Sequence, residues 1–147
     1  MSIEKEEIKI HDVETTDWNG KRYDARALEN WAEQFPEEIV SLESLRGCVG
    51  EEHLCWNDEQ GEKLGPSQIL KDWEAAKRNP AWAKHTYGVE HANLNNPIWI
   101  IKSGNAIEVV NGVHRLTRAL IENKEEIKVR ILPSLPDFGL VEKSDKI

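Results

Sequence analysis

The last third of the chain constrains the fold more than any other stretch. A β-branched run over residues 97–102 and a second apolar run over residues 106–110 flank Ser103-Gly104-Asn105, which is the spacing of a β-hairpin. Asn111-Gly112 then supplies a tight turn, and apolar residues at helical spacing continue to about Asn123. Residues 127–132 alternate apolar and charged side chains in the manner of a strand. The pattern predicts a hairpin, a turn, a helix and a final strand, in that order.

The preceding residues predict short helices, one strand and a long loop. Residues 25–35 have the spacing of an amphipathic helix that Pro36 ends, and residues 38–42 are apolar enough for a strand. A loop-like stretch leads to Pro66, which begins one helix to about Arg78, and residues 82–96 predict a further short helix and a loop. Five side chains of the two irregular stretches are expected to point into the core: Leu54, Trp56, Tyr87, Val89 and Leu94. The ring of Trp56 could alternatively stack on a base or a partner.

Length and composition favour a single domain. A chain of 147 residues that is 39% hydrophobic can fill one modest core. We therefore expect one domain, over residues 25–136, and the helix and strand patterns above make it an α+β domain. Residues 1–24 are expected to form an irregular N-terminal arm or an irregular first hairpin, and residues 137–147 a loose C-terminal tail. The chain lacks both an apolar run of roughly 18 residues and a signal-peptide pattern, so the expected location is the cytoplasm, without membrane association.

The net charge of −8 is concentrated in the first 62 residues. These hold 6 Lys and Arg against 17 Asp and Glu, whereas residues 63–147 hold 13 against 10. Because nonspecific affinity for nucleic acid comes from neutralising phosphates with Lys and Arg, this distribution disfavours nucleic-acid binding. Two interpretations of the acidic half are open: a surface that keeps the protein soluble, or one that binds a basic protein partner through residues 1–62.

The two cysteines are too few for a disulfide framework. Cys48 and Cys55 are expected to be reduced packing residues, with no metal site. Because His53 lies between them, a metal site formed by these three side chains is the alternative.

The turn at Asn111-Gly112 has the features of an anion-binding site. A strand that turns directly into a helix leaves the first N–H groups of that helix without partners, and the helix dipole favours negative charge there. Gly112 lets a phosphate approach the backbone, and Arg115 adds a charged bidentate donor. His114 could add a donor, act as a general acid or base, or be a structural residue. These residues predict a phosphate pocket at Gly112, His114 and Arg115.

The same turn carries a resemblance to a known superfamily. The stretch Ala106-Ile107-Glu108-Val109-Val110-Asn111-Gly112-Val113-His114-Arg115-Leu116-Thr117-Arg118-Ala119, with Pro97-Ile98 before it and Ile127-Lys128-Val129 after it, resembles the ParB and sulfiredoxin superfamily. Members of that superfamily carry a similar turn between a hairpin and a final strand. Upstream, Leu64-Gly65-Pro66-Ser67-Gln68-Ile69-Leu70 is similar to the start of the first conserved helix. The resemblance extends from residue 64 to residue 132 and implies a single ParB/sulfiredoxin-like domain, in which a small mixed sheet packs against several helices.

The resemblance also implies a ligand. In that superfamily the turn binds nucleotide phosphates: ATP in sulfiredoxins and free-serine kinases, and CTP in the ParB proteins of chromosome partition. It implies nucleotide binding at Gly112, His114 and Arg115, with ATP or ADP as the expected cofactor and Mg²⁺ as a candidate companion. Ser67 and Lys71, near the start of the helix after Pro66, become further candidates for phosphate contact.

Three departures from the superfamily pattern narrow the expected activity. Val113 stands where sulfiredoxins need a cysteine, which disfavours a sulfinic acid reductase. His114 stands where ParB partition proteins have a second arginine, and no room for a helix-turn-helix domain is expected after the pocket, so DNA partitioning is also disfavoured. Asn111 replaces an aspartate of many relatives, which argues against a magnesium or general-base role there.

Three functions are consistent with these features. The first is an enzyme or sensor that binds a purine nucleotide, with phosphoryl transfer to a small hydroxyl compound as its concrete form. Such transfer needs a proton acceptor and a metal-binding carboxylate. The candidates are His114 and an acid of the loop before Pro66: Glu51, Glu52, Asp58, Glu59 or Glu62. The second function is a non-catalytic acidic interaction module of phage or mobile-element type. The third is a ParB-like nuclease, which the negative charge and Asn111 argue against.

Overall fold

The computed structural model describes residues 15–141, which fold into an α+β domain. The strands are β1 Thr15–Trp18, β2 Lys21–Asp24, β3 Glu37–Ser41, β4 Trp56–Asn57, β5 Lys63–Leu64, β6 Ile98–Ser103, β7 Ala106–Asn111 and β8 Glu126–Leu132. The α-helices are α1 Ala25–Ala32, α2 Pro66–Lys71, α3 Trp73–Lys77, α4 Ala83–Glu90 and α5 Val113–Ile121. Three 3₁₀ helices cover Leu42–Val49, Pro80–Trp82 and Asp137–Gly139. Within this part of the chain, none of the helices has the length and apolar character needed to cross a bilayer.

Four strands form the central mixed sheet, in the order β3-β8-β6-β7. β8 is antiparallel to β3 and parallel to β6, while β6 and β7 form an antiparallel hairpin. The parallel pair requires a connection that crosses over the sheet, and β7 with α5 supplies it. The expectation of an α+β fold with a small mixed sheet and several helices is confirmed.

The central strand β6 is apolar along its length because both of its faces are buried. Ile98 and Ile100 belong to a cluster with α5 and the first 3₁₀ helix, whereas Trp99 and Ile101 belong to a second cluster with α1 and β2. Successive side chains of a strand point to opposite faces, so one continuous apolar run serves two cores. α5 packs on the first core through its fully buried Leu116. This packing fixes the start of α5 relative to the sheet.

The described parts of both terminal segments belong to the folded domain. Of the arm and the first hairpin expected for the N-terminal residues, residues 15–24 form the hairpin, β1–β2, and Tyr23 is 2% exposed within the second core. The Thr16 hydroxyl donates a hydrogen bond to the Val110 carbonyl, and Tyr23 forms a β-bridge with Leu140. The remainder of the expected arm and tail, residues 1–14 and 142–147, lies outside the described residues.

The single helix expected from Pro66 to Arg78 is interrupted at Asp72. This residue has φ −156° and ψ 89°, and its side chain accepts a hydrogen bond of 3.1 Å from the Ala75 N–H. An aspartate side chain that bonds the local backbone competes with helix continuation and favours a new N-cap. The helix therefore ends as α2 and restarts as α3.

Two side chains expected in the core lie at the surface. Leu54 is 42% exposed and Tyr87 is 64% exposed, whereas Val89, two residues further along α4, is fully buried. Positions two apart lie on different faces of a helix, so α4 cannot bury both Tyr87 and Val89 against one neighbour.

Candidate functional site

The start of α5 is built around Gly112. This residue is the N-cap of α5 and has φ +109° and ψ 25°, a backbone conformation that residues with a side chain rarely adopt. A Cβ atom there would lie 2.6 Å from Cγ2 of Ile98. Gly112 provides no side-chain cap, so within residues 15–141 the N–H groups of Val113 and His114 have no side-chain acceptor. The helix therefore presents donors at the point where β7 ends.

A cleft of about 620 Å³ opens beside this helix start. Its walls come from α1, β3, the end of α4 with the loop after it, β6, β8 and the turn into α5. The turn into α5 and the end of α4 contribute Asn111, His114, Arg115 and His91 to the lining, and α1 and β3 with the residue after α1 contribute Glu29, Glu33 and Glu37. Three further asparagines of the loop 93–96 line the rim: Asn93, Asn95 and Asn96. The cleft thus contains both guanidinium and carboxylate groups.

The two arginines of the cleft have different surroundings. Arg130 donates to the Phe35 carbonyl and lies 3.5 Å from a carboxylate oxygen of Glu37. Arg115 donates a bond of 3.3 Å from Nη1 to the Pro97 carbonyl. This bond holds the guanidinium of Arg115 next to β6, on the same side of the cleft as the start of α5.

His114 is held by a stacked group of three rings. Nε2 of His114 lies 3.1 Å from Nδ1 of His85, and Nε2 of His85 lies 3.0 Å from the Asn57 carbonyl oxygen. The Trp56 ring stacks on both imidazoles, with centroids 4.6 Å apart and an interplanar angle of 10° in each case. Gly88 also packs against the His114 ring, since a Cβ there would lie 3.2 Å from Cδ2 and 3.3 Å from Nε2.

These contacts fix the tautomers of both histidines in their neutral forms. A backbone carbonyl only accepts, so Nε2 of His85 carries its proton. Nδ1 of neutral His85 is then an acceptor, and Nε2 of His114 must donate to it. Nδ1 of His114 keeps its lone pair. No buried side-chain nitrogen or oxygen of residues 15–141 lacks a partner, and no bond to Nδ1 of His114 occurs there, so this atom is not fully buried, and His114 lines the cleft.

The surroundings keep His114 neutral at physiological pH. Burial lowers the pKa of His114 to about 4, and His85, Arg115 and Lys84 act in the same direction. Burial also lowers the pKa of His85, against the opposing effect of its bond to the Asn57 carbonyl. His114 therefore meets the cleft as an acceptor rather than as a cation.

The structure brings together some of the residues predicted from the sequence. Gly112, His114 and Arg115 lie together at the start of α5, and the last two line the cleft. Ser67 and Lys71 are on α2, which packs beside α5, and Glu62 is exposed near the β4–β5 hairpin. Their positions outside the lining do not support direct contact with a ligand of this cleft. The same holds for the other acids of the loop before Pro66, and the carboxylates that do line the cleft come from α1 and β3.

Sequence reasoning missed His85. Its two hydrogen bonds join it to residues 28 and 29 positions away in the chain, a distance over which helical or strand periodicity carries no information. Trp56, which was expected as a core anchor or as a stacking surface for a ligand, is half-buried and stacks on the two histidines.

The residues considered for a metal site do not form one in this structure. Cys48 and Cys55 are free; Cys48 is half-buried and donates from Sγ to the Ile107 carbonyl, while Cys55 is exposed. Across residues 15–141, no three His, Cys, Asp or Glu side chains are arranged to hold a metal ion. The geometry gives no support to metal binding by Cys48, His53 and Cys55.

Comparison with known proteins assigns the chain to no family. No protein-family model matches it, and neither the curated proteins nor the solved structures include a significant match. The resemblance to the ParB and sulfiredoxin superfamily therefore stays a prediction that depends on the residues quoted above.

Proposed function

We propose that the cleft binds the phosphate group of a nucleotide, ATP or ADP, at the start of α5, within a ParB/sulfiredoxin-like fold. The observation that carries the proposal is the start of the nine-residue helix α5, where His114 and Arg115, directly after the left-handed Gly112, line a cleft of about 620 Å³. Backbone N–H groups and the helix dipole favour an anion there, and Arg115 adds a charged donor. The cleft has the size of a small-molecule site.

Phosphoryl transfer to a small hydroxyl compound is the reaction that this site would serve. Mg²⁺ is usually held by one or two carboxylates together with the phosphates of the nucleotide. Glu29 and Glu33 line the same cleft, and one or both of these carboxylates would hold an ion that arrives with its nucleotide. The ion would neutralise phosphate charge. His114 would accept a hydrogen bond from the hydroxyl group.

Nucleotide binding is tested by thermal melts of the full chain with ATP, ADP, CTP and GTP, each with and without Mg²⁺. A nucleotide at about 100 times its dissociation constant stabilises a folded protein by about 2.7 kcal/mol, which raises the Tm of a domain of this size by several degrees. We expect a shift with ATP or ADP that disappears in Arg115→Ala.

Arg46→Ala is the matched control. It removes the same charge from an exposed side chain that pairs with Glu43 and does not line the cleft. An unchanged nucleotide shift in Arg115→Ala, or no shift with any nucleotide at millimolar concentration, would contradict the proposal.

A non-catalytic interaction with a basic partner is the second candidate function. The specific observation is β3, an edge strand of the central sheet that carries Glu37, Glu38 and a 57% exposed Ile39. An open edge with acidic and apolar side chains is suited to pairing with a basic, extended peptide. Glu38→Lys should abolish capture of such a peptide by this edge, whereas unchanged capture would place the contact elsewhere. Deletion of residues 1–24 is a poor test, because it would remove the buried Tyr23.

A further inference from the structure

We propose that His85 is a positioning residue for His114, and that the ligand of the cleft carries a hydroxyl or amino hydrogen-bond donor next to its anionic group. This inference rests on the proposed function, which supplies the anionic group of the ligand. It adds that the ligand also carries a hydrogen-bond donor for His114. It follows from the direction of the hydrogen bonds that run from His114 through His85 to the Asn57 carbonyl.

The Asn57 carbonyl determines which ring nitrogen donates in each of these hydrogen bonds. Because the carbonyl can only accept, each neutral ring in turn must donate from Nε2, and the lone pair that is left belongs to Nδ1 of His114. Turning the His114 ring by half a turn would exchange Nε2 with Cε1 and would lose the 3.1 Å bond to His85. The stacked Trp56 and the close Gly88 restrict the same motion.

The cleft therefore presents two different kinds of group to a ligand. The start of α5 and Arg115 donate hydrogen bonds and suit anionic oxygens. Nδ1 of neutral His114 accepts, and a fully ionised phosphate oxygen placed against it would bring two acceptors together. A ligand satisfies both only when a hydroxyl or amino group lies beside its anion. A hydroxyl-bearing phosphate ester is a ligand of this class.

The role of His85 is tested by the imidazole proton resonances of the full chain without ligand. In the wild type, the Nε2 protons of His114 and His85 are both hydrogen-bonded, and we expect them to exchange slowly enough to be observed downfield by NMR. His85→Phe keeps a ring against Trp56 but removes the acceptor, so the His114 proton signal should be lost. His85→Asn places a side-chain oxygen near the former Nδ1 and should restore that signal.

His53, whose side chain is exposed, provides the control: His53→Asn should leave both signals unchanged. A His114 Nε2 proton that persists in His85→Phe would overturn the positioning role. So would a wild-type spectrum in which Nδ1 of His114 carries the proton.

The ligand class is tested with glycerol 3-phosphate and propyl phosphate, which have similar size but differ in their hydroxyl groups. At about pH 8 both are dianions, because the second pKa of a phosphate ester is near 6. One additional neutral hydrogen bond should make glycerol 3-phosphate bind about fivefold more tightly to the wild type. The ratio of the two affinities should fall to about one in His114→Phe. The preference for glycerol 3-phosphate should be larger in His85→Asn than in His85→Phe.

The outcomes separate the inference from the proposed function. Equal affinity of the two phosphates for the wild type would overturn the ligand class while leaving anion binding intact. If neither phosphate binds while ATP or ADP still raises the Tm, the ligand class fails and the proposed function stands. If no nucleotide raises the Tm either, both fail, and the NMR signals still decide the role of His85.

Discussion

Acidification should destabilise the protein through His114. Burial lowers the pKa of this side chain to about 4 in the folded protein, against an ordinary value of 6.5. When the folded-state pKa lies below the unfolded one, the unfolded chain takes up the proton first as the pH falls. The contribution of neutral His114 to stability is therefore complete above about pH 6.5 and is lost progressively as the pH falls towards 4. The ionisable groups that act on the His114 ring are His85, Arg115 and Lys84. The other ionisable side chains of the same cleft are His91, Glu29, Glu33, Glu37 and Arg130.

The size of the effect follows from that pKa difference. Each unit of pKa difference corresponds to about 1.4 kcal/mol, so complete protonation costs about 3 kcal/mol. At pH 5 the unfolded chain is almost fully protonated at this position and the folded chain is largely neutral, which leaves a cost of about 2 kcal/mol relative to pH 7.5. This is a large share of the stability of a domain of this size.

The assay is urea denaturation followed by tryptophan fluorescence at several pH values between 7.5 and 5. Carboxylates and the other histidines contribute to the pH dependence of stability in the wild type and in the variant alike. The informative quantity is therefore the difference in the free energy of unfolding between the wild type and His114→Phe. This variant keeps a ring against Trp56 but cannot titrate at position 114. The wild type should lose about 2 kcal/mol more than the variant over this range. His53→Gln, at an exposed position, should lose as much as the wild type. Parallel losses in the wild type and His114→Phe would refute the reasoning.

Two further substitutions test how the site is built. Gly112→Ala should lower the free energy of unfolding by about 3 kcal/mol, because the new Cβ strains a left-handed backbone and lies 2.6 Å from Cγ2 of Ile98; a loss below about 0.5 kcal/mol in urea denaturation at neutral pH would contradict this. Asp24→Ala should cost about 1 kcal/mol, because the Asp24 side chain caps α1 by accepting from the Arg26 and Ala27 N–H groups. Asp24→Asn keeps the acceptor and should cost much less, and equal losses in the two variants would exclude capping as the cause.

The parts of the fold that the sequence predicted well are those encoded locally. The β6–β7 hairpin, the turn at Gly112 and α5 follow one another within a short stretch, and each has its own signal: the turn at Gly104, the glycine before the helix and the helical spacing after it. Periodicity and turn chemistry were sufficient there, because each element is specified by residues next to it in the chain.

Features that depend on distant contacts or on competing local bonds were missed. Asp72 lies within a helical pattern, and only its bond to the Ala75 N–H shows that it ends one helix and begins the next. The partners of His85 come from the β4–β5 hairpin and α5. The acids that line the cleft come from α1 and β3 rather than from the loop before Pro66, because the path of the chain in space decides which charges meet.

The position of β8 has a consequence for how the domain assembles during synthesis. β3 and β6 have no contact of their own in the sheet, and each depends on β8, with Glu37 and Arg130 separated by 93 residues in the chain. A nascent chain that has emerged from the ribosome only as far as α5 has the β6–β7 hairpin but leaves β3 without a partner strand. Such long-range pairing slows folding and keeps apolar edges open to other chains in the meantime. The four-stranded sheet is complete only when β8, which lies between β3 and β6, has been synthesised. Until then the N-terminal part of the domain remains exposed to aggregation and to chaperones.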